Sequence, residues 1–193
     1  MKQIVMNRIA FAIPLVFAAA VANAQERTTP VVETGLNYSF TTMYPGSGVP
    51  SFTSMGGSGT VEYNINHTFG VVADLGGYRN SSDVNFNPTT FTYLFGPRVN
   101  WRMSRITPYA QALFGGARVS TSLTDPVTGN AFSENGFAMA YGGGVDVRLT
   151  DHVYVKPFQL DYLMTQTPNI WSPNGNQNSM RFSAGVVFRF GSK

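Results

Sequence analysis

The chain has 193 residues, no cysteine and a formal net charge of +3. That length fits one domain, and the missing thiols exclude a disulfide framework, a thiolate metal site, a catalytic cysteine and a lipoprotein anchor. Lys2 and Arg8 belong to a leader, so the rest of the chain is close to neutral and its composition gives no argument for nucleic-acid binding.

The leader comes first in chain order. Lys2 and Arg8 precede an apolar run from Ile9 to Val21, about a third shorter than the roughly 20 residues a spanning helix needs. Ala22-Asn23-Ala24 then places small residues at both positions that a signal peptidase reads. The expectation is a signal peptide over 1–24, cleavage before Gln25, and one domain over 25–193 of about 170 residues. No later stretch is long and apolar enough to span a bilayer as a helix, so entry into a membrane requires a closed barrel.

Period-two alternation begins at once in that domain. Val32, Thr34, Leu36, Tyr38 and Phe40 share one face, with Glu33, Asn37 and Ser39 on the other. Next, Val61, Tyr63 and Ile65 oppose Ser58, Thr60, Glu62 and Asn64, and then Phe69, Val71, Ala73 and Leu75 oppose Asp74. Phe91, Tyr93, Phe95, Val99 and Trp101 oppose Thr92, Arg98 and Asn100 in the fourth segment. Further segments near 108–118, 136–149, 153–164 and 179–190 bring the expectation to about eight strands, the size of the smallest outer-membrane barrels.

The connections alternate in length. Long ones are expected near 41–55, 79–89, 119–134 and 165–178, and short ones near 66–68, 102–107 and 150–152. A barrel entered from the periplasm has this form, with long loops outside the cell and tight turns inside. Recognition is expected on the long, Gly-, Ser-, Asn- and Pro-rich loops.

Alternation alone leaves either face as the outer one. The leader and the aromatic density favour lipid on the apolar side, with Tyr38, Phe40, Tyr63, Phe69, Phe91, Trp101, Tyr154 and Tyr162 suited to interfacial girdles. The inner face then carries Glu33, Glu62, Asp74, Arg98, Asp146, Arg148, Asp161, Arg181 and Arg189. Eight strands leave a lumen just wide enough for side chains to fill, and buried charges must pair, so a closed ionic plug is expected. Glu33 and Arg189 are expected to meet where the first and last strands close the sheet. Lys156 has the wrong parity relative to Asp161, unless Pro157 marks a bulge.

The last segment holds the most specific motif. Ser183, Gly185, Phe188 and Phe190 occupy polar, glycine, hydrophobic and aromatic positions, a pattern that resembles the C-terminal signal of outer-membrane barrels. It departs from that signal in one respect, since Gly191-Ser192-Lys193 follow the terminal aromatic. With its leader and loop alternation, the chain resembles the OmpA/OmpX-type superfamily of small outer-membrane β-barrels along its whole length. The resemblance implies an all-β, eight-stranded antiparallel up-and-down barrel, integral to the outer membrane of a Gram-negative bacterium, with both termini periplasmic. The partners implied are outer-membrane lipid and lipopolysaccharide, the barrel assembly machinery during insertion, and an extracellular ligand.

Chemistry is sparse. His67 and His152 are the histidines, both near expected periplasmic turns, whereas lipid A-trimming or acylating barrels place Ser and His toward the outer leaflet. No His-Glu-x-x-His pattern, phosphate loop or calcium loop occurs; Gly142-Gly143-Gly144 precedes no helix. No cofactor, metal or catalytic residue is expected. The leading expectation is a non-enzymatic scaffold for extracellular loops in envelope integrity, adhesion or surface recognition. A narrow porin-like channel is the alternative, and a lipid A-modifying enzyme a more distant one.

Overall fold

The computed structural model describes residues 29–45, 52–80, 89–124, 131–166 and 176–192. The expected signal peptide over 1–24 lies outside the described residues. Eight strands follow in chain order: β1 (Val32–Pro45), β2 (Phe52–Asn64), β3 (Phe69–Asn80), β4 (Thr89–Asn100), β5 (Ile106–Thr124), β6 (Ala131–Arg148), β7 (Val153–Gln166) and β8 (Asn176–Phe190). Each pairs antiparallel with the next, and β8 returns to β1, closing the sheet.

Closure leaves no strand edge, the condition for a sheet in lipid. The seam pairs Val32 with Phe190, Glu33 with Arg189 and Asn37 with Gly185. Alternation positions the side chains: along β4, Thr90, Thr92, Leu94, Arg98 and Asn100 are buried in the lumen, while Phe91, Tyr93 and Phe95 are exposed on the outer wall. Leu36, Val61, Phe69, Leu75, Phe114, Phe137, Leu160, Phe182 and Phe190 extend that apolar wall to the other strands. A face this hydrophobic is stable only against lipid.

Tight curvature shows in the glycines. A Cβ at Gly96 would collide with the carbonyl oxygen of Ala112 on β5, and one at Gly115 with that of Tyr93 on β4, so these two walls approach where side chains are absent.

At the end that carries the termini the connections are tight. Asn66 Oδ1 accepts from the backbone N–H groups of Thr68 and Phe69 at 2.9 and 2.8 Å, and Thr150 Oγ1 does the same for Val153 at 3.0 Å; both are side-chain-closed turns. The connections at the far end, 46–51, 81–88, 125–130 and 167–175, lie outside the described residues.

Two expectations need correction. The long connections are shorter than expected, because β5 runs through Val119 to Thr124 and β6 begins at Ala131. Likewise β1 reaches Pro45 and β2 begins at Phe52. Polar residues do not stop a strand whose neighbour continues to offer backbone partners. The second correction concerns Tyr154, expected on the outer girdle but buried in the lumen. The β7–β8 register shifts between Lys156 and Gln159, and this bulge at Pro157 inverts the phase of everything before it. Lys156 thereby points inward, fully buried.

Candidate functional site

The lumen holds a network of charged and amide side chains. Near the termini, Arg189 Nε donates to Glu33 Oε2 at 2.7 Å across the seam. Arg102, from the β4–β5 turn, donates through Nη2 to Glu33 Oε1 and Asn64 Oδ1, both at 2.7 Å, and through Nε to the His67 carbonyl at 3.0 Å. One carboxylate thus bridges two guanidinium groups, and Asp146 approaches Arg189 at 3.8 Å. Arg189 also lies over the Tyr154 ring, 3.5 Å from its centroid, a stacking that suits a planar cation.

A second cluster fills the lumen beyond it. Arg98 donates to Glu62 at 2.8 Å and to Gln111 at 2.6 Å, and its guanidinium carbon lies 4.3 Å from the Tyr109 ring centroid. Gln111 donates to Asp161 at 3.1 Å. Arg181 is the hub, donating to Asp161 at 2.8 Å, to Asp74 at 3.2 Å and to the Tyr78 hydroxyl at 2.8 Å. Lys156 and the Tyr109 hydroxyl both donate to Gln159 Oε1, at 3.0 and 2.7 Å, and Gln159 passes a bond to Asp161 at 2.6 Å. The buried carboxylates Glu33, Glu62, Asp74, Asp146 and Asp161 are matched in number by Arg98, Arg102, Lys156, Arg181 and Arg189. Such balance is what burial of charge demands.

Beside the network the lumen is apolar. Val72, Leu94, Leu113, Ala117, Ala138, Ala140 and Leu163 form one buried cluster contributed by β3 to β7. Over β1 and β8 the lining is small and hydroxylated, with Ser39 and Ser183 sharing a hydrogen bond at 2.8 Å. Every strand contributes a fully buried lumen residue: Thr41, Asn64, Val72, Thr92, Leu113, Ala138, Lys156 and Arg181 are all at 0 %.

Of the expected inner-face charges, Glu33, Glu62, Asp74, Arg98, Asp146, Asp161, Arg181 and Arg189 are all brought into the lumen. Arg148 is not part of that network. It sits at the rim with its side chain 29 % exposed and pairs with Asp151, because β6 ends there. Sequence reading missed Arg102, which a turn position concealed, along with the amide and phenol connectors Gln111, Gln159 and Tyr109. In the C-terminal motif, Ser183 faces the lumen and Phe188 and Phe190 face outward. Gly185 stands against Asn37 of β1, where a side chain would meet the Leu36 carbonyl oxygen.

The histidines lie apart in the terminal-end turns. His67 Nδ1 contacts the Thr29 hydroxyl at 3.2 Å, and His152 Nδ1 lies 3.3 Å from the Arg189 carbonyl oxygen. Partial burial, reinforced by the Arg102 guanidinium, holds His67 below the usual histidine range. Among the described residues, no group of His, Asp and Glu is arranged to hold a metal ion.

The outer membrane protein beta-barrel domain family matches residues 9–190. Comparison with curated proteins gives no match. Among solved structures, Neisserial surface protein A superposes with a TM-score of 0.66 at 17% identity, over 86% of this chain and 100% of that one. Ail, the attachment invasion locus protein of Yersinia pestis, gives 0.57 at 15% identity, over 82% and 97%. Ail in complex with the heparin analogue sucrose octasulfate gives 0.53 at 14% identity, over 82% and 99%. Identities this low establish a shared fold, and the family match together with the closed, lipid-walled sheet places this chain in the outer membrane protein beta-barrel domain family, as an integral barrel of the Gram-negative outer membrane.

Proposed function

We propose that this protein is a non-enzymatic, non-conducting surface barrel. Its termini face the periplasm, and its four far-end connections form the working surface, in adhesion, surface recognition or envelope integrity. The observation that supports this reading is the packed lumen: fully buried side chains come from every strand, as expected where eight strands leave room for side chains alone, and on this reading the interior is a structural rod rather than a conduit. Tight turns at the terminal end and longer connections at the other support the orientation. The attachment role named for Ail, and its complex with a polyanionic sugar analogue, favour an extracellular ligand of the glycan class over a small solute.

Planar-bilayer recordings on pure protein test the first half. No steady conductance is expected, and a stable large step would overturn it. For the second half, cells displaying the wild type should bind immobilised sulfated glycans or host matrix more than cells displaying a variant with all four far-end connections shortened. Equal binding would remove the recognition role. We also assign Ser183, Gly185, Phe188 and Phe190 to capture by the assembly machinery, so Phe190→Ala should lower the inserted fraction; unchanged insertion would count against that role.

A further inference from the structure

At the end that carries the termini, the barrel opens into a cavity of about 760 Å³, lined by Pro30, Arg102, Arg148, His152, Arg189 and Ser192 among others. Three guanidinium groups thus face one space. Arg148 is taken by Asp151. Arg102 and Arg189 share the carboxylate of Glu33, 2.7 Å from each, and Asp146 stays 3.8 Å from Arg189, beyond hydrogen-bond length. Their side chains are only 6 % and 7 % exposed, yet Arg102 Nη1 and Arg189 Nη2 have no hydrogen-bond partner among the described residues. Buried donors are almost always answered in a folded protein, and those on a charged group attract a carboxylate most strongly.

The chain has ten Asp and Glu residues, and all but one have their place elsewhere. Glu33, Glu62, Asp74, Asp146 and Asp161 are buried in the lumen, Asp151 holds Arg148, and Glu134 stands at the far end of β6. Asp83 and Asp125 belong to the far-end connections. Glu26 remains, on the segment that leads into β1. That segment enters at the mouth. Thr29 is buried, its hydroxyl lies 3.2 Å from His67 Nδ1, and the His67 carbonyl oxygen accepts from Arg102 Nε at 3.0 Å. Pro30 lines the cavity, and the Val31 N–H that follows is fixed to the Phe190 carbonyl oxygen at 3.0 Å. From Thr29 back to Glu26 the chain spans at most about 10 Å, so the carboxylate is within reach of both arginines. Such a short tether holds it near them at an effective concentration of about millimolar.

We infer that the terminal-end mouth is a carboxylate receptor whose ligand is built into the chain: Glu26 docks on Arg102 and Arg189. The two guanidinium groups then hold two carboxylates, Glu33 from within the lumen and Glu26 from the mouth. The added negative charge faces Arg105, exposed at the same end. Docking ties the entering segment to the β2–β3 and β4–β5 turns and shields the pair of Glu33 and Arg189 from water. It goes beyond the proposed function and does not depend on which compartment the terminal end faces.

Disulfide trapping tests this directly, because the chain has no cysteine of its own. The protein is extracted from outer membranes in detergent, and its heat-modifiable gel shift shows it folded. Arg27→Cys is paired either with Met103→Cys, in the wall of the mouth, or with Ile65→Cys, exposed beside the His67 turn. A docked segment should cross-link to Met103→Cys several times faster than to Ile65→Cys, whereas a loose one pivoting at Thr29 favours neither. Glu26→Gln should slow trapping at Met103→Cys about fivefold without slowing it at Ile65→Cys, and Glu26→Asp should recover most of the rate. Glu26 precedes the first strand, so these variants should fold like the wild type. Equal trapping at the two positions would overturn the docking. So would an unchanged Met103→Cys rate after Glu26→Gln, which would leave water as the partner of the two nitrogens. Millimolar acetate or phosphate should raise the urea midpoint of Glu26→Gln and leave the wild type unmoved; an equal rise in both would mean a receptor open to free anions and would remove the built-in ligand.

Discussion

The two halves of the lumen lining solve one packing problem by opposite means. Around Arg181, charges are buried completely and each is answered by a partner. Around Leu94 and Leu113, the same barrel wall is filled with aliphatic side chains that need no partner. The contrast separates the cost of losing a contact from the cost of leaving a group unanswered. An aliphatic side chain that is removed leaves a void, whereas an arginine that is removed leaves two carboxylates without a counter-charge.

The sharpest way to expose the difference is Arg181→Ala, which strands Asp74 and Asp161. A loss of about 5 kcal/mol is expected in urea unfolding from lipid or detergent. Converting four residues together, Asp74→Leu, Asp161→Leu, Arg181→Met and Lys156→Met, should return stability toward the wild type, because three buried carboxylates then face three cations and no charge is left uncompensated. If the quadruple variant is as unstable as the single one, the network contributes attraction beyond mutual compensation. In the apolar region, Leu113→Ala should cost about 3 kcal/mol through its cavity, and no second substitution among the charges should change that figure. Coupling between Leu113→Ala and Arg181→Ala would show that the two regions are not independent.

The seam gives a smaller effect, since the terminal mouth is wetter. Glu33→Ala and Arg189→Ala should each lose about 2–3 kcal/mol, and the double variant less than the sum. Strict additivity would mean that the 2.7 Å contact between them carries no coupling. The smallest effect concerns pH. His67 is held below its ordinary value of 6.5 in the folded state, so the unfolded chain binds the proton more readily. Stability is therefore full above about pH 6.5 and declines as pH falls from there toward the lowered folded value. His67→Asn should flatten that slope, and an unchanged slope would assign it to other groups.

Much of this was legible in the residues. Glu33 and Arg189 could be matched because a closed antiparallel sheet forces the first and last strands together, and their positions near the two ends fix the row. Period two separated Phe91, Tyr93 and Phe95 from Thr92 and Arg98 for the same reason. The reading failed where the period fails. The bulge at Pro157 moved Tyr154 and Lys156 to the other face, and a parity argument detects such a slip only as a misfit. Leu94 and Leu113 were not recognisable as lumen residues, because apolar side chains on both faces erase the alternation. Arg102 sits in a turn, where no strand face can be assigned, yet it reaches Glu33 at 2.7 Å.

The ring closes between residues separated by 156 positions in the chain, and that fixes an order of events. The first strand cannot find its second neighbour until the last has been delivered, so the N-terminal strand must wait through synthesis and export of nearly the entire polypeptide. During that interval any partial sheet exposes two open edges and a greasy outer wall to water. Only local hairpins can form safely, and the slow step is the meeting of the two ends. A protein built this way depends on being kept open in transit, and a truncation that removes β8 should leave an unfinished ribbon rather than a smaller barrel.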